Sequence, residues 1–354
     1  VNIKAAEKIG KLHDKLKAIG YEGHILEVYL VRIVFCLFAD DTNIFNKGIF
    51  EDYIKRNTKE DGSDLAHHLS TLFHILNTHE NYRLKNLDES LTEFPYVNGK
   101  LFEESLPPAS FDKEMRHLLL DCCNLNWSKI SPAIFGSMFQ AVMNPEERRN
   151  LGAHYTSEKN ILKVIKPLFL DDLHNEFETV KNNKKQLIEF HKKLSTLRFL
   201  DPACGCGNFL VITYRELRLL EIEILRKLYD PNKPQFNIKE IVWIDIDQFY
   251  GIEIEEWPAR ISEVAMWLID HQMNMKISEE FGEYFVRLPL KKTANIINKN
   301  ALRINWEDIV PQEQLSYILG NPPFSGKHLQ DEEQKKDMDN IFNGVKGSGV
   351  LDYV

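Results

Sequence analysis

Leu200-Asp201-Pro202-Ala203-Cys204-Gly205-Cys206-Gly207-Asn208-Phe209-Leu210 decides the fold of this chain. Arg198 to Asp201 reads as a short apolar strand, and Phe209 to Leu228 carries apolar residues at helical spacing. A loop with two glycines therefore joins a strand to a helix, the place where open α/β sheets bind their ligands. Gly205 and Gly207 let the backbone come close to a small molecule. The loop is no dinucleotide fingerprint, because Leu210 stands where a third glycine belongs, and no Walker lysine follows. Taken alone it reads equally well as a tight turn. Cys204 and Cys206 form a C-x-C pair without a partner pair, which suits small fillers of the loop better than a metal site.

Strand and helix signals go on alternating downstream. Tyr250 to Ile254 reads as a strand and Pro258 to Asp270 as a helix with proline at its start. Tyr317 to Gly320 reads as a short buried strand. This alternation predicts a parallel sheet flanked by helices. Ahead of it, Ser157 to Leu173 suits a helix capped by Thr156 or Ser157, with Glu158 in its first turn. The basic run Lys181 to Lys193 reads as a solvated helix face or linker, with a phosphate contact as the alternative. Residues 1 to about 143 read mostly as helices, broken at Asp40-Asp41-Thr42-Asn43 and at Leu106-Pro107-Pro108-Ala109. The last of these helices, Ile130 to Val142, opens on Ser131-Pro132. Asn144-Pro145-Glu146-Glu147-Arg148-Arg149 then marks a polar boundary. The expected organisation is an all-helical domain over 1–150 and an α/β domain over 151–354.

The chain has 354 residues, enough for two domains with separate cores. Its 43% apolar and 27% charged content is that of an ordinary globular protein. The net charge of -9 excludes a surface built throughout to hold DNA, so nucleic-acid work needs a local patch or another domain. The five cysteines suit neither a disulfide framework nor a zinc site and predict reduced thiols and a cytoplasmic location. Val28 to Ala39, the most apolar segment, falls short of the about 20 residues that span a bilayer and predicts a buried helix. No membrane association is expected.

The second informative stretch is Asn321-Pro322-Pro323-Phe324, directly after the Tyr317-Gly320 strand. The Asn321 side-chain oxygen and the Pro322 carbonyl can both accept hydrogen bonds from one NH2 group. The two prolines stiffen the backbone, and Phe324 can stack on a flat ring. Asn-Pro alone is common in turns; a strand running into Asn-Pro-Pro-aromatic is not. Together with the glycine loop, the motif points to chemistry on an amino group of a planar ring. Glu253, at the end of the strand after the loop, can accept both hydroxyls of a ribose; the alternative is a charge favouring the next helix, which Glu255 and Glu256 fit better. Glu221 and Glu223 fall within a helical pattern and read as surface charges. Asn300 could read an adenine edge, but taken alone it reads better as a turn asparagine.

The chain resembles the gamma class of amino-methylating DNA methyltransferases. Gly152-Ala153-His154-Tyr155-Thr156-Ser157 resembles that class's first cofactor motif, Leu200 to Leu210 its second and Gly251-Ile252-Glu253-Ile254 its third. Arg32 to Phe45, Phe94 to Phe102 and Trp257 to Asn274 extend the likeness to the MmeI-like restriction–modification enzymes, from Leu26 onward. In that family a nuclease, a helical connector, a methyltransferase and a target-recognition domain share one polypeptide.

The resemblance implies a Rossmann-like sheet that binds S-adenosylmethionine, preceded by the helical connector, and methylation of the exocyclic amino group of adenine in DNA without a metal. It implies that Tyr155 and Thr156, with Asp201, Pro202, Ala203, Gly205 and Gly207, hold the methionine part of the cofactor. Glu253, with Ile254, holds the ribose and Asn300 faces the cofactor's adenine, where an acid is common in the wider class. Asn321, Pro322, Pro323 and Phe324 receive the target adenine. Double-stranded DNA would be met through a recognition domain outside the chain, with a nuclease upstream, although no nuclease signature occurs in these residues. The chain opens on Val1 and runs 30 residues past Phe324, so it reads as a piece of a longer protein with a partial sheet, inactive on its own. Other readings are methylation of a protein glutamine or an RNA base, and a non-catalytic scaffold that keeps the fold; cofactor binding separates the last.

Overall fold

The computed structural model describes residues 2–97, 100–134, 136, 156–229, 238–282, 294–323 and 330–346. The chain forms two compact units that meet in sequence at 142/143, outside the described residues, as are the Asn144 to Arg149 boundary and most of the Ile130 to Val142 helix.

The first unit is helical in its described residues. Its longer helices are α1 (Asn2–Ala18), α2 (His24–Asp41), α3 (Ile49–Asn57), α4 (Leu65–Leu76) and α5 (Lys113–Cys123). Helix α2 is buried on every face from Val28 to Asp40, as its unbroken apolar run requires. Arg32 lies inside this core because its guanidinium is spent on carbonyls: Nε donates to Leu101 O at 2.8 Å and Nη2 to Glu104 O at 2.8 Å. The break after α2 is a joint. Asp40 accepts the backbone N–H groups of Phe50 and Glu51 at the start of α3.

The second unit holds a four-stranded parallel sheet in the order β3-β2-β1-β4. The strands are β1 (Phe199–Asp201), β2 (Phe249–Glu253), β3 (Asn295–Asn298) and β4 (Tyr317–Ile318). Its longer helices are α6 (Glu158–Ile165), α7 (Asp171–Val180), α8 (Lys184–Thr196), α9 (Asn208–Leu228), α10 (Glu256–Phe281) and α11 (Glu332–Ile341). Helix α9 links β1 to β2, and α10 links β2 to β3. Strand β4 pairs with the other side of β1, with Phe199 opposite Tyr317 and Leu200 opposite Ile318. The strand order therefore reverses between β1 and β4, and that crevice is where such a sheet takes a ligand.

Alternation along β1 covers both faces of the sheet. Phe199 stacks on Phe249 at 5.1 Å and on Tyr317 at 5.5 Å, with Phe169 against two of these rings and Tyr214 of α9 edge-on to Phe249. Each such pair adds about 0.5–1.5 kcal/mol beyond its buried area. Leu200 and Ile252 point the other way into a cluster with Val310, walled by Ala301, Ile304, Trp306 and Leu315. The segment returning from β3 to β4 is thus the second layer.

Three expectations need correction. Ser157 to Leu173 is not one helix: α6 passes at Lys166 into a single π turn, Lys166–Leu170, where Pro167 supplies no N–H, before α7 begins. The basic run behaves as read, a solvated helix face: it is helix α8, with Lys184, Lys185, Lys192 and Lys193 exposed and Leu187, Phe190, His191 and Leu194 buried on the other side. The Tyr317 to Gly320 segment is buried only at Leu319; Ile318 is 52% exposed because β4 lies at the sheet edge among the described residues. Glu221 is no surface charge, though Glu223 is exposed.

Glu221 is fully buried at the centre of a polar network. Its Oε1 accepts from Trp243 N at 2.7 Å and Ile244 N at 2.9 Å and lies 2.7 Å from His191 Nε2. Arg218 Nε lies 3.0 Å from its Oε2, an ion pair bent away from hydrogen-bond geometry. Burial works against this carboxylate, but His191 and Arg218 hold its pKa below the usual value. Arg218 also reaches Asp270 at 3.0 Å and Asn274 at 2.8 Å on α10. One network thereby fastens α8, α9, α10 and the approach to β2.

Candidate active site

The site forms where the carboxyl ends of β1 and β2 and the chain leaving β4 come together. Asp201 ends β1 and is 1% exposed. Its Oδ1 accepts from Ala203 N at 3.1 Å, which turns the chain into the loop. Cys204 N donates to Ile252 O at 2.9 Å and ties the loop to β2. Gly207 N donates to Cys204 O at 2.8 Å and closes the turn into α9.

Two glycines of the loop have separate reasons. Gly207 has φ +79°, and a Cβ there would stand 2.3 Å from Ser262 Oγ on α10. Its small size lets the loop lie on that helix. Gly205 has φ +54° and faces open space. Its N–H donates to Glu253 Oε2 at 2.8 Å, while Glu255 N donates to Oε1 at 2.9 Å. Glu253 is therefore fixed across the mouth of the loop, and a carboxylate can accept more hydrogen bonds than these two.

Burial pushes the Asp201 carboxyl up to about 7, helped by the charge of Glu253 and opposed by the Ala203 hydrogen bond. Burial also raises Glu253, against the N–H groups of Glu255 and Gly205. Cys204 is pushed up by burial and by both carboxylates, so it stays a thiol. None of the five cysteines is in a disulfide, and no group of acids, histidines or cysteines among the described residues could hold a metal ion.

The strand-end motif meets the glycine loop through Gly320. A Cβ at Gly320 would lie 2.5 Å from Asp201 Oδ1, so the backbone before Asn321 rests on the carboxyl group that ends β1. Asn321 is exposed, and its Nδ2 donates to Thr156 Oγ1 at 3.0 Å. Pro322 and Pro323 are half-buried. Phe324 and Tyr155 lie outside the described residues. The structure thus brings Thr156, Asp201, Ala203, Gly205, Gly207, Glu253 and Asn321 into one connected arrangement, with Pro202 inside the loop.

Asn300 lies elsewhere in detail. Its Oδ1 caps the next turn by accepting from Leu302 N at 2.9 Å, and its Nδ2 is 3.4 Å from Asp337 on α11. Asp337 also pairs with Arg303 at 2.9 Å, so an acid does stand beside Asn300, supplied from further along the chain. Sequence reasoning missed three residues here. Asn298 holds the turn after β2 by donating to Glu253 O at 3.0 Å and Ile254 O at 2.8 Å. Asn208, at the start of α9, buries an Oδ1 with no partner among the described residues. Its place directly after Gly207 was the available signal. Asp337 gave none.

These residues fit S-adenosylmethionine: an anchored acid that can accept further hydrogen bonds, Ile254 beside it 56% exposed, a glycine open to the site and an orphaned acceptor at the helix start. Residues 177–354 match the family model described as the MmeI DNA-methyltransferase domain, and residues 24–102 the MmeI helicase spacer domain. The first match covers half the chain, and the chain belongs to the MmeI DNA-methyltransferase family. DNA methyltransferase A of Bacillus subtilis (strain 168) is 40% identical over 364 residues, which take in 100% of this chain and 40% of that protein. A putative type II restriction enzyme and methyltransferase of Methanocaldococcus jannaschii is 27% identical over 288 residues, 67% of this chain and 24% of that protein. The solved structure of the Type IIL restriction-modification enzyme MmeI in complex with DNA superimposes with a TM-score of 0.87 at 64% identity, covering 100% of this chain and 47% of its own. The chain therefore spans less than half the length of each. Among the described residues no helix is long and apolar enough to cross a membrane.

Proposed function

We propose that this chain supplies the cofactor site and the amino-group site of a DNA methyltransferase that modifies the exocyclic nitrogen of adenine, within a restriction–modification system. The observation that carries the reading is the packing of Gly320 on Asp201, which sets the Asn-Pro-Pro motif against the glycine loop at the point where the strand order reverses. Residues 1–150 are assigned to the helical connector and 151–354 to the methyltransferase. The partner is double-stranded DNA, met through a recognition domain outside these residues, and five thiols outside any disulfide suit work in the cytoplasm.

Each residue has a physical task. Glu253 accepts the ribose hydroxyls while Gly205 and Glu255 hold it still. Tyr155, Thr156 and the Asp201 to Gly207 loop enclose the methionine end, and Ile254 lies against the flat base. Bound S-adenosylmethionine supplies an electrophilic methyl group. The adenine amino group is a poor nucleophile because its lone pair is shared with the ring. Asn321 Oδ1 and the Pro322 carbonyl accept hydrogen bonds from its two N–H groups and favour a more tetrahedral nitrogen, a preorganised electrostatic effect. Pro323 stiffens the turn, and Phe324 stacks on a base flipped out of the duplex.

The test is Asn321→Ala in the natural polypeptide, assayed with radiolabelled cofactor on duplex DNA and by calorimetry for the cofactor. Methylation is lost while cofactor affinity stays within about 3-fold, because Asn321 serves the acceptor and not the donor. Methylation at the wild-type rate would remove Asn321 from the site.

A further inference from the structure

Helix α6 begins just after Thr156, whose Oγ1 lies 3.0 Å from Asn321 Nδ2, so it starts at the amino-group site. One side of it opens on a groove of about 520 Å³ lined by Glu158, Lys159, Leu162, Lys163 and Lys166. The three lysines are exposed and share one face, since they follow one another at helical spacing. Ile161 and Ile165, on the other side, anchor the helix in the core. Glu158 is the acid of the groove, and it is spent on Arg215 at 2.8 Å. From Lys159 to Leu170 the sequence holds no acid. None of the three lysines has an ion pair among the described residues. Nearby lysines of the same unit do: Lys181 meets Glu178 and Lys193 meets Glu176. Like charges one turn apart weaken a helix, so the fold gains nothing from this arrangement.

We propose that this groove holds the DNA backbone beside the flipped adenine, with Lys159, Lys163 and Lys166 on successive phosphates of one strand. The inference rests on the reading of the chain as a DNA methyltransferase. Charge argues for the occupant. The protein carries a net charge of -9, so a polyanion approaches it only over a local cationic surface, and this groove is one. The lengths agree as well. From Lys159 to Lys166 the helical rise is about 10 Å. One DNA strand carries a phosphate about every 3.4 Å of its axis, so about three of them face that length. Lysine suits the task, because a mobile ammonium on a flexible stem meets a phosphate oxygen as a point charge. Position adds to this: a base turned out of the stack requires its flanking backbone held in place while Asn321 receives it. Such contacts carry no sequence information, so they add to what a recognition domain reads without altering it.

The test is the affinity of the natural polypeptide for a mixed-sequence duplex, read by fluorescence anisotropy at salt steps from about 50 to 200 mM. The triple variant Lys159→Gln, Lys163→Gln, Lys166→Gln keeps most of each stem and removes the charges. Its slope of log K against log salt should be shallower by about 2.7, from 0.9 for each lost phosphate contact, and its affinity at about 0.1 M salt lower on the order of 100-fold. The control Lys184→Gln, Lys185→Gln, Lys192→Gln makes the same charge change on exposed lysines of α8 and should leave the slope as it is in the wild type. Unchanged calorimetric cofactor affinity shows that the groove variant is folded. Each single groove variant should account for about 0.9 of the slope, which keeps the test open if the triple variant does not fold. An unchanged slope in the groove variants overturns the proposal, as does an equal change in the α8 control, which would report net charge alone. A natural polypeptide whose DNA affinity depends on the groove as stated, yet which methylates no adenine, marks failure of the functional reading and leaves the groove standing.

Discussion

Replacing Asp201 by Asn tests how the loop is built. The Asp201 carboxyl is buried, and its pKa stands at about 7 against an ordinary 3.8. A raised carboxyl pKa means that the folded chain binds a proton which the unfolded chain has released. Stability is therefore fully present below about pH 4 and falls as pH rises through the window up to about 7. Multiplying the gap by 1.36 kcal/mol for each pKa unit gives about 4 kcal/mol at pH 8 as an upper figure, with relaxation of the loop bringing it to about 2–4 kcal/mol. Asparagine has nearly the same shape, can still accept from Ala203 N, and stays neutral throughout. The assay is urea unfolding of wild type and Asp201→Asn at steps from about pH 4.5 to 8 in the absence of cofactor. Asp201→Asn should gain on the wild type across that range and then level off. Groups common to both proteins, such as Asp40, whose burial puts it at about 6, cancel in the difference. Parallel stability curves would show that the Asp201 carboxylate is solvated or paired with a cation, and the account of the loop would fail.

Two further outcomes follow from the same geometry. Glu253→Ala should weaken S-adenosylmethionine binding by about 1.5–3 kcal/mol, the worth of charge-assisted hydrogen bonds, and also free Gly205 N, so unchanged calorimetric affinity would remove Glu253 from the site. Glu221→Ala should destabilise the second unit by about 3–5 kcal/mol, because Arg218 is left as a buried charge with Asp270 as its remaining carboxylate partner among the described residues; a loss under 1 kcal/mol in thermal unfolding would mean that water replaces the carboxylate.

The parts of the fold set by local pattern were legible in the sequence. Helix α9 begins at Asn208 and ends at Leu228, within one residue of the reading, because Gly207 stops the preceding turn and apolar spacing carries the rest. The β1 reading begins one residue early and the β2 reading lies one residue late. Strand β3 was missed because Asn295-Ile296-Ile297-Asn298 has polar ends and no alternation; its pairing with β2 makes it a strand. Glu221 was misread because its partners come from α8 and from the turn before β2, which no helical wheel displays. In the site, motif residues marked the neighbourhood and the glycines told why, but the contacts that unite it are long-range. Gly320 on Asp201 and Asn321 on Thr156 join segments that the sequence keeps more than 100 residues apart. Asn300 shows the reverse: its local capping role was readable, whereas the acid beside it, Asp337, arrives from α11.

The central claim is that the Asn-Pro-Pro-Phe turn receives adenine and directs methylation to its exocyclic nitrogen. The direct measurement is mass spectrometry of nucleosides from duplex DNA treated with the natural polypeptide and S-adenosylmethionine carrying a labelled methyl group. The account predicts label in N6-methyladenine alone, and its disappearance with Asn321→Ala. Label in a methylated cytosine, or in adenine with the Asn321→Ala protein as strongly as with the wild type, would contradict it.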